Sequence, residues 1–253
     1  MCGMLANVAG ETERATALLT ESYPWWERSG DVFGRAVARS LLGGVRVSQQ
    51  QYDEAAALFA GNEVIFRDEG HESWIAHAHF HLGVIAWVQR DEARARSLLR
   101  DAVERSGWSS APADAIDPLR YLGLIACAAG DLDEAAMWFR EELTRLRQYG
   151  SHAAFAVGLA DIATLAAARE AWQPAVRVFA KAEALAQTEG AAFSLPARDH
   201  YERSHHQARE ALGAATSEVA AAGRALTLEQ ALVEAEAVLE MDRDRDAGVT
   251  PAP

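Results

Sequence analysis

A repeat of 40 residues runs through most of the sequence and constrains its fold more than any other feature. When the chain is written in rows offset by this period, a Leu-Gly pair or a conservative equivalent falls in the same column of four successive rows. The column contains Leu42-Gly43, Leu82-Gly83, Leu122-Gly123 and Ile162-Ala163. Because periods of about 20 to 50 residues are typical of stacked supersecondary units, the sequence predicts a repeat protein.

Two further columns keep the same register. The first lies twelve residues after the glycine and consists of Ala55, Ala95, Ala135 and Ala175. The second lies four residues further on and consists of Phe59, Leu99, Phe139 and Phe179. One row towards the N-terminus, the same columns predict equivalent positions at Gly3, Ala15 and Leu19. Several independent columns with one spacing are improbable by chance.

Each column has a physical explanation in packed helices. Glycine inside a helix costs about 1 kcal/mol relative to alanine, so its recurrence indicates a neighbouring helix that passes too close for a side chain. The alanine column and the Phe or Leu column lie on one face of the following helix, because residues four apart are neighbours on a helix surface. The columns therefore predict antiparallel helix pairs with close packing within and between repeats.

Turn signals separate the predicted helices. Gly130 is a helix stop, Asp131 a candidate N-cap, and Glu134 follows three residues later, an arrangement similar to a capping box. Gln50-Gln51 and Arg90-Asp91 occupy the same turn in their rows. We predict helix pairs over 33–48 and 52–68, 72–89 and 92–106, 115–129 and 132–149, and 152–169 and 172–189. The glycines predicted to close the second helices in the left-handed conformation are Gly70, Gly107, Gly150 and Gly190.

The end of the chain departs from the repeat. Helices are predicted over 198–212 and 215–222, and a last one over Leu228–Leu239, opened by Thr227 with Gln230 three residues on. The charged segment after it, with glycine and proline, predicts disorder. The expected organisation is a helix-pair array over 1–190 with about four and a half repeats, capping helices over 191–240 and a disordered tail over 241–253.

Three features resemble the tetratricopeptide repeat signature. They are the Leu-Gly pairs, the Gly-Asp-Leu-Asp-Glu-Ala run from Gly130 to Ala135, and Phe139. The resemblance covers about residues 1–190 and implies an all-α, right-handed superhelical array of antiparallel helix pairs, closed by a C-terminal helical cap. Two departures stand out: the period exceeds the usual 34 or so residues, and the aromatic residue expected three positions before the leucine is absent. Those positions hold Arg39, His79, Leu119 and Leu159.

The segment from Tyr201 to Glu229 resembles the closing part of helical-repeat regions in bacterial signalling ATPases and LuxR-family regulators. That resemblance implies a regulatory role without a catalytic centre in the repeats. No glycine-rich phosphate loop with its lysine is present, since the single lysine, Lys181, lies inside a predicted helix. The register places Met1 within a helix, so we expect a fragment, a degenerated gene or a misplaced start, with an apolar edge around Met4, Leu5 and Val8.

Composition excludes several classes of partner. The formal net charge of -13 predicts a surface that repels nucleic acid and anionic lipid. Cys2 and Cys127 are too few for a disulfide framework and form no metal-binding pair, which suits a reducing cytoplasm. The sequence shows no signal peptide or transmembrane pattern. We therefore expect a cytoplasmic protein, with no nucleic acid or membrane as a direct partner.

A histidine cluster is the strongest candidate for chemistry. His77 and His81 in His-Ala-His-Phe-His lie one helical turn apart and suit a shared divalent metal, but no third ligand is evident, which favours an amphipathic role. Asp131, Asp133 and Glu134 are better explained as helix caps than as catalytic carboxylates. We predict no catalytic, cofactor or metal site.

Two surfaces are candidates for partner binding. Trp25-Trp26, after Pro24, is predicted in a linker, either as a partner anchor or, as we favour, packed beneath a loop. The first helices of the pairs are expected to line a concave groove that binds a protein, a peptide or a small effector. Its predicted lining is His77, Phe80, His81, Val84, Trp87, Arg120, Tyr121, Leu124, Asp161 and Thr164.

Alternative functions remain open at this point. Some groove residues could instead fill the core between repeats, and this explanation is nearly as strong. The first alternative to a partner-binding module is a scaffold that self-associates, forming a homodimer through an exposed terminal repeat. A metal-dependent helical enzyme is the least favoured.

Overall fold

The described part of the chain is all-helical. The structure is a computed structural model that describes residues 12–107, 116–191, 193 and 195–241, and none of these residues forms a strand. This confirms the all-α class. None of the helices in these ranges is long and apolar enough to cross a membrane.

The helices match the predicted map to within one turn, apart from two regions discussed below. In the first half they are α1 Thr12–Ser29, α2 Val32–Ser48, α3 Tyr52–Phe59, α4 Asn62–Asp68, α5 Glu72–Val88 and α6 Glu92–Gly107. In the second half they are α7 Ile116–Ala129, α8 Leu132–Tyr149, α9 His152–Ala168, α10 Trp172–Glu189, α11 Leu195–Leu212, α12 Thr216–Arg224 and α13 Leu228–Glu240. A 3-10 turn, Gly213–Ala215, joins α11 to α12. The chain divides into two compact units, Met1–Pro118 and Leu119–Pro253.

A left-handed turn recurs with the sequence period. Gln50, Arg90, Gly130 and Glu170 have φ angles of 61°, 67°, 83° and 59°. At each of them the helix closes with the same pair of backbone hydrogen bonds, for example from the Arg90 amide to the Trp87 carbonyl and from the Asp91 amide to the Ala86 carbonyl. The residue after the turn opens the next helix. Three of the four are not glycine, so these paired hydrogen bonds must outweigh a backbone cost of about 1 kcal/mol.

The glycine column packs against the aromatic or leucine column of the same repeat. A Cβ atom on Gly43 would lie 2.8 Å from Phe59, and one on Gly123 would lie 2.2 Å from Phe139. Gly83 faces Leu99 in the same way, at 2.8 Å. The alanine column is fully buried. The predicted close packing is confirmed, although the nearest group to each glycine is a side chain rather than a helix backbone.

The predicted helix over 52–68 is interrupted. Gly61 adopts a left-handed conformation, φ 81°, between α3 and α4. Asn62 follows it, fully buried, and its amide donates to the Ala36 carbonyl at 3.2 Å and to the Ser40 hydroxyl at 3.0 Å. The Asn62 side chain thereby contacts α2 at two points.

Two further predictions need correction. Trp25-Trp26 lies inside α1, which contains Pro24 and continues to Ser29, rather than in a linker. The chain reverses instead at Gly30, φ 73°, before the Asp31 N-cap of α2. Gly150 is extended, φ -74°, because Ser151 immediately caps α9.

Other terminal predictions have mixed outcomes. Gly70 and Gly190 are left-handed as expected, and Gly107 is the last residue of α6. Leu19 is buried as its column predicts. Ala15 lies in α1, but its side chain is outside the description, and Gly3, Leu5, Val8 and the tail over 242–253 lie outside the described residues.

The C-terminal helices pack back onto the repeats of the second unit. A Cβ atom on Gly223 in α12 would lie 2.3 Å from the Arg177 carbonyl of α10, so these two helices approach closely. α13 packs against α8, α9 and α10. Its Thr227 and Gln230 form the predicted capping box. At its other end, Arg140 and Arg169 donate to the Leu239 and Val238 carbonyls at 2.9 Å and 2.6 Å.

Candidate binding groove

An apolar groove lies between α1 and α2 in the first unit. Its volume is about 860 Å³. Side chains from both helices line it, namely Leu18, Leu19, Glu21, Ser22, Trp25 and Trp26 from α1, then Asp31, Phe33, Gly34, Val37, Ala38 and Leu41. Most of these groups are aliphatic or aromatic, which is typical of sites that bind apolar ligands or anchor residues.

Contacts at both ends hold the two helices in place. At the turn, the Asp31 carboxylate accepts a hydrogen bond from the Gly34 amide at 2.8 Å, which starts α2. The Trp26 ring lies so close to Gly34 that a Cβ atom there would be 2.3 Å from it. At the opposite end, the side-chain amide of Gln49 donates to the Thr16 hydroxyl at 3.2 Å. These contacts fix α1 and α2 relative to each other at both ends of the groove.

Aromatic and acidic groups stand at the rim. Trp25 is 58% exposed and packs edge-on against Trp26 with ring centroids 4.9 Å apart. Glu21 is exposed beside it, and Asp31 lies at the turn. An exposed tryptophan next to carboxylates favours an occupant that combines apolar and cationic groups, because the indole contributes area and the acids attract positive charge.

The sequence contained a partial signal for this site. Trp25-Trp26 is a candidate anchor in the sequence, but its predicted place in a linker gives no indication that it packs beside α2. The remaining lining residues, such as Val37 and Leu41, have the composition of ordinary core positions. Nothing in their spacing distinguishes residues that line a groove from residues of an ordinary core.

The predicted lining residues of the first unit are largely enclosed. Val84 and Trp87 are buried, while His77, Phe80 and His81 are half-buried. The rings of His77 and His81 lie 4.6 Å apart, and neither Nδ1 atom has a hydrogen-bond partner within the described residues. This environment favours the alternative role for these residues, which is to fill the core between repeats.

Burial controls the protonation of these two histidines. It lowers the pKa of His77 to about 4, opposed only in part by the nearby charge of Asp117. It also lowers the pKa of His81 well below the usual value, and the neighbouring His77 acts in the same direction. Phe59 stacks on His81 with ring centroids 5.0 Å apart. Both imidazoles are therefore neutral near pH 7.

His79 points to a different environment. Its Nδ1 lies 2.5 Å from the Asp101 carboxylate, which Arg105 also contacts at 2.5 Å. Burial opposes ionisation of Asp101, but the hydrogen bonds from Arg105 and His79 lower the pKa of this carboxyl. Arg105 also contacts Glu72, so the cluster ties α5 to α6. Within the described ranges, no group of three or more His, Cys, Asp or Glu side chains is arranged to hold a metal.

The predicted lining residues of the second unit are buried. They are Arg120, Tyr121, Leu124, Asp161 and Thr164. The Tyr201 hydroxyl of α11 donates to Asp161 at 2.7 Å. Burial, and then the negative charge of Asp161, raise the pKa of Tyr201 well above its usual value. Burial also raises the pKa of Cys127 to about 12. These facts favour a role in packing, and the concave groove stays a prediction.

Comparison with protein-family models gives no match for this sequence, and comparison with curated proteins gives no significant similarity.

Proposed function

We propose that this chain is a non-catalytic interaction module of the tetratricopeptide type, which acts by binding a partner protein in the α1–α2 groove. The recurring left-handed turn and the glycine column support a right-handed superhelical array of helix pairs as its architecture. The resemblance of the segment from Tyr201 to Glu229 supports a place in a bacterial regulatory system. The proposal assigns no cofactor or metal to the chain.

The α1–α2 groove, which no other part of the described chain fills, is the observation that carries this proposal. A groove of about 860 Å³ with an exposed tryptophan offers apolar area that water solvates poorly. Tryptophan is also the residue type most often found at energetic centres of protein interfaces. The buried lining residues of the predicted concave groove, such as Val84 and Leu124, offer far less area to a partner.

Site-specific photo-crosslinking tests the proposal. A photoreactive phenylalanine analogue is placed at Trp25, and at Met137 as the control, because Met137 is a comparably exposed apolar residue in the second unit. The expected result in an extract of the source cells is a crosslinked protein at position 25 that is absent at position 137 and lost with Ser22→Arg. Equal products at both positions would refute the proposal. Products between two copies of the chain would replace it with the self-association alternative.

A further inference from the structure

An acidic helix covers a basic surface in the second unit. Every charged residue of α13 is a glutamate. The three helices that α13 packs against, α8, α9 and α10, place arginines next to it. We call these residues the arginine bed, and they are Arg140 and Arg147 of α8, Arg169 at the C-terminal cap of α9, and Arg177 of α10. In a chain with a formal net charge of -13, they concentrate positive charge beneath one helix.

Two ion pairs join α13 to the arginine bed. The Arg177 guanidinium donates two hydrogen bonds to the Glu234 carboxylate, at 3.0 Å and 2.5 Å. Further along the helix, Arg147 lies 2.7 Å from the Glu236 carboxylate. These four side chains keep between 27% and 48% of their area exposed. Water and dissolved ions therefore reach both pairs, and salt weakens them.

Two arginines also hold the C-terminal end of α13 through its backbone. Arg140 donates to the Leu239 carbonyl, and Arg169 donates to the Val238 carbonyl. The last carbonyl groups of a helix lack a helical partner and carry partial negative charge, so cationic donors stabilise them. The arginine bed thus recognises two features of an acidic helix, its carboxylates and its C-terminal carbonyl groups.

The apolar face of α13 is small. Its buried residues are Ala231, Leu232, Ala235, Val238 and Leu239, two of which are alanines. A crevice of about 540 Å³ lies between α8 and the C-terminal end of α13, and another of about 410 Å³ lies beside its N-terminal half. Because hydrophobic stabilisation scales with the apolar area removed from water, this seat leaves a large share of the attachment to charge.

We infer that α13 is a detachable strap over the arginine bed, and that the uncovered bed binds an acidic amphipathic helix of another protein. α13 itself shows the chemistry of that occupant, with glutamates on one side and small apolar residues at helical spacing on the other. Charge complementarity selects such a helix and sets its register. As long as α13 is seated, it competes as an intramolecular ligand at high effective concentration. The bed lies in the second unit, so the inference does not depend on the α1–α2 groove.

Amide hydrogen exchange of the full chain measures how firmly α13 is held. Raising NaCl from about 0.1 M to about 1 M shortens the screening length from about 10 Å to about 3 Å. We expect exchange in α13 to become at least ten-fold faster, whereas exchange in α9, which is enclosed by its neighbours, stays within about two-fold. Exchange in α13 that does not respond to salt would overturn the charged attachment.

A labelled peptide that copies residues 227–241 is the probe for the arginine bed, and fluorescence anisotropy reports its binding to the full chain. In the double variant Glu234→Arg and Glu236→Arg, α13 is repelled by Arg177 and Arg147 and leaves the bed free. We expect this variant to bind the peptide at least ten-fold more tightly than the wild type does, because the competing strap is displaced.

The matched control is a second double variant in the same unit. Glu202→Arg and Glu210→Arg make the same change of net charge at exposed positions of α11. This control should bind the peptide as weakly as the wild type. Equal peptide affinity of the wild type, the control and the α13 double variant would overturn the bed as a binding surface.

A third substitution locates the peptide. Adding Arg177→Glu to the α13 double variant removes a charge from the bed and restores an attractive pair with position 234, so peptide binding should fall at least ten-fold. Binding that survives this change lies elsewhere and overturns the inference. Circular dichroism checks folding of each variant. Glu234→Gln with Glu236→Gln leaves every apolar contact in place and should give intermediate affinity, which keeps the test decisive if the reversed charges disturb the fold.

Discussion

Acidification should destabilise the first unit through His77. The imidazole of this residue has a pKa of about 4 in the folded chain, against about 6.5 in the unfolded chain. Between these values the unfolded state binds the proton and the folded state does not, so stability falls as the pH falls through this range. Above about pH 6.5 both states are neutral and the effect vanishes.

The size of the effect follows from the two pKa values. At about pH 4.5 the unfolded state gains about 2.5 kcal/mol relative to the folded state from this one group. His77→Phe removes the titration and places a ring of similar size beside Phe59 and Trp74, which already surround the imidazole. Among the described residues, Asp117 raises the pKa of His77, and His77 in turn contributes to the lowered pKa of His81. Loss of His77 therefore also relieves part of the His81 shift, which favours the variant at low pH in the same direction.

Urea unfolding of the wild type and of His77→Phe, each at about pH 7.5 and about pH 4.5, measures this effect. We expect the free energy of unfolding of the variant, relative to that of the wild type, to be about 2.5 kcal/mol higher at the lower pH than at the higher pH. Comparing the two chains at each pH cancels the response of the carboxylates. His206→Asn is the control, because His206 is exposed and its variant should track the wild type at both pH values. A difference that does not change with pH would refute the assignment of a buried neutral imidazole.

Three further changes test the packing of the repeats. Ala95→Glu places a carboxylate in a fully buried position and should cost about 3 kcal/mol or more, measured by urea unfolding; wild-type stability would contradict the register. Gly123→Ala brings a methyl group against Phe139 and should cost about 1 to 3 kcal/mol despite the better helix propensity of alanine, with partial recovery upon Phe139→Leu. Thr227→Ala removes the capping box with Gln230 and should cost about 1 kcal/mol, seen as faster amide exchange in α13, whereas unchanged exchange would show that the cap is dispensable.

The sequence predicts the repeated elements well because their constraints are local. Gly83 and Gly123 each indicate a large side chain sixteen positions later, within the same repeat. The turn at Arg90 is set by two backbone hydrogen bonds within the six residues from Ala86 to Asp91. Such contacts reappear with the period, so each row supports the others, and the helix boundaries follow.

The features that could not be predicted depend on contacts outside the local pattern. The second helix of the repeat is broken at Gly61, and the Asn62 amide beside the break binds the Ala36 carbonyl of α2, a contact that no residue near Asn62 in the sequence indicates. Pro24 suggests a linker, yet α1 continues past it to Ser29 and the chain turns at Gly30. The burial of Asp161 could be expected from its apolar neighbours, but its partner Tyr201 lies forty residues away in a helix without the repeat pattern.

The period relates Leu19, Ser22 and Trp26 of the groove to Phe59, Asn62 and Phe66, which lie on the surface that holds α2. In the occupied site, Asn62 donates to the Ala36 carbonyl and the Ser40 hydroxyl, so buried hydrogen bonds hold α2 there. Its equivalent in the groove, Ser22, donates instead to the Leu19 carbonyl of its own helix at 3.0 Å. The groove would therefore offer a partner protein apolar contact without a buried polar anchor of this kind.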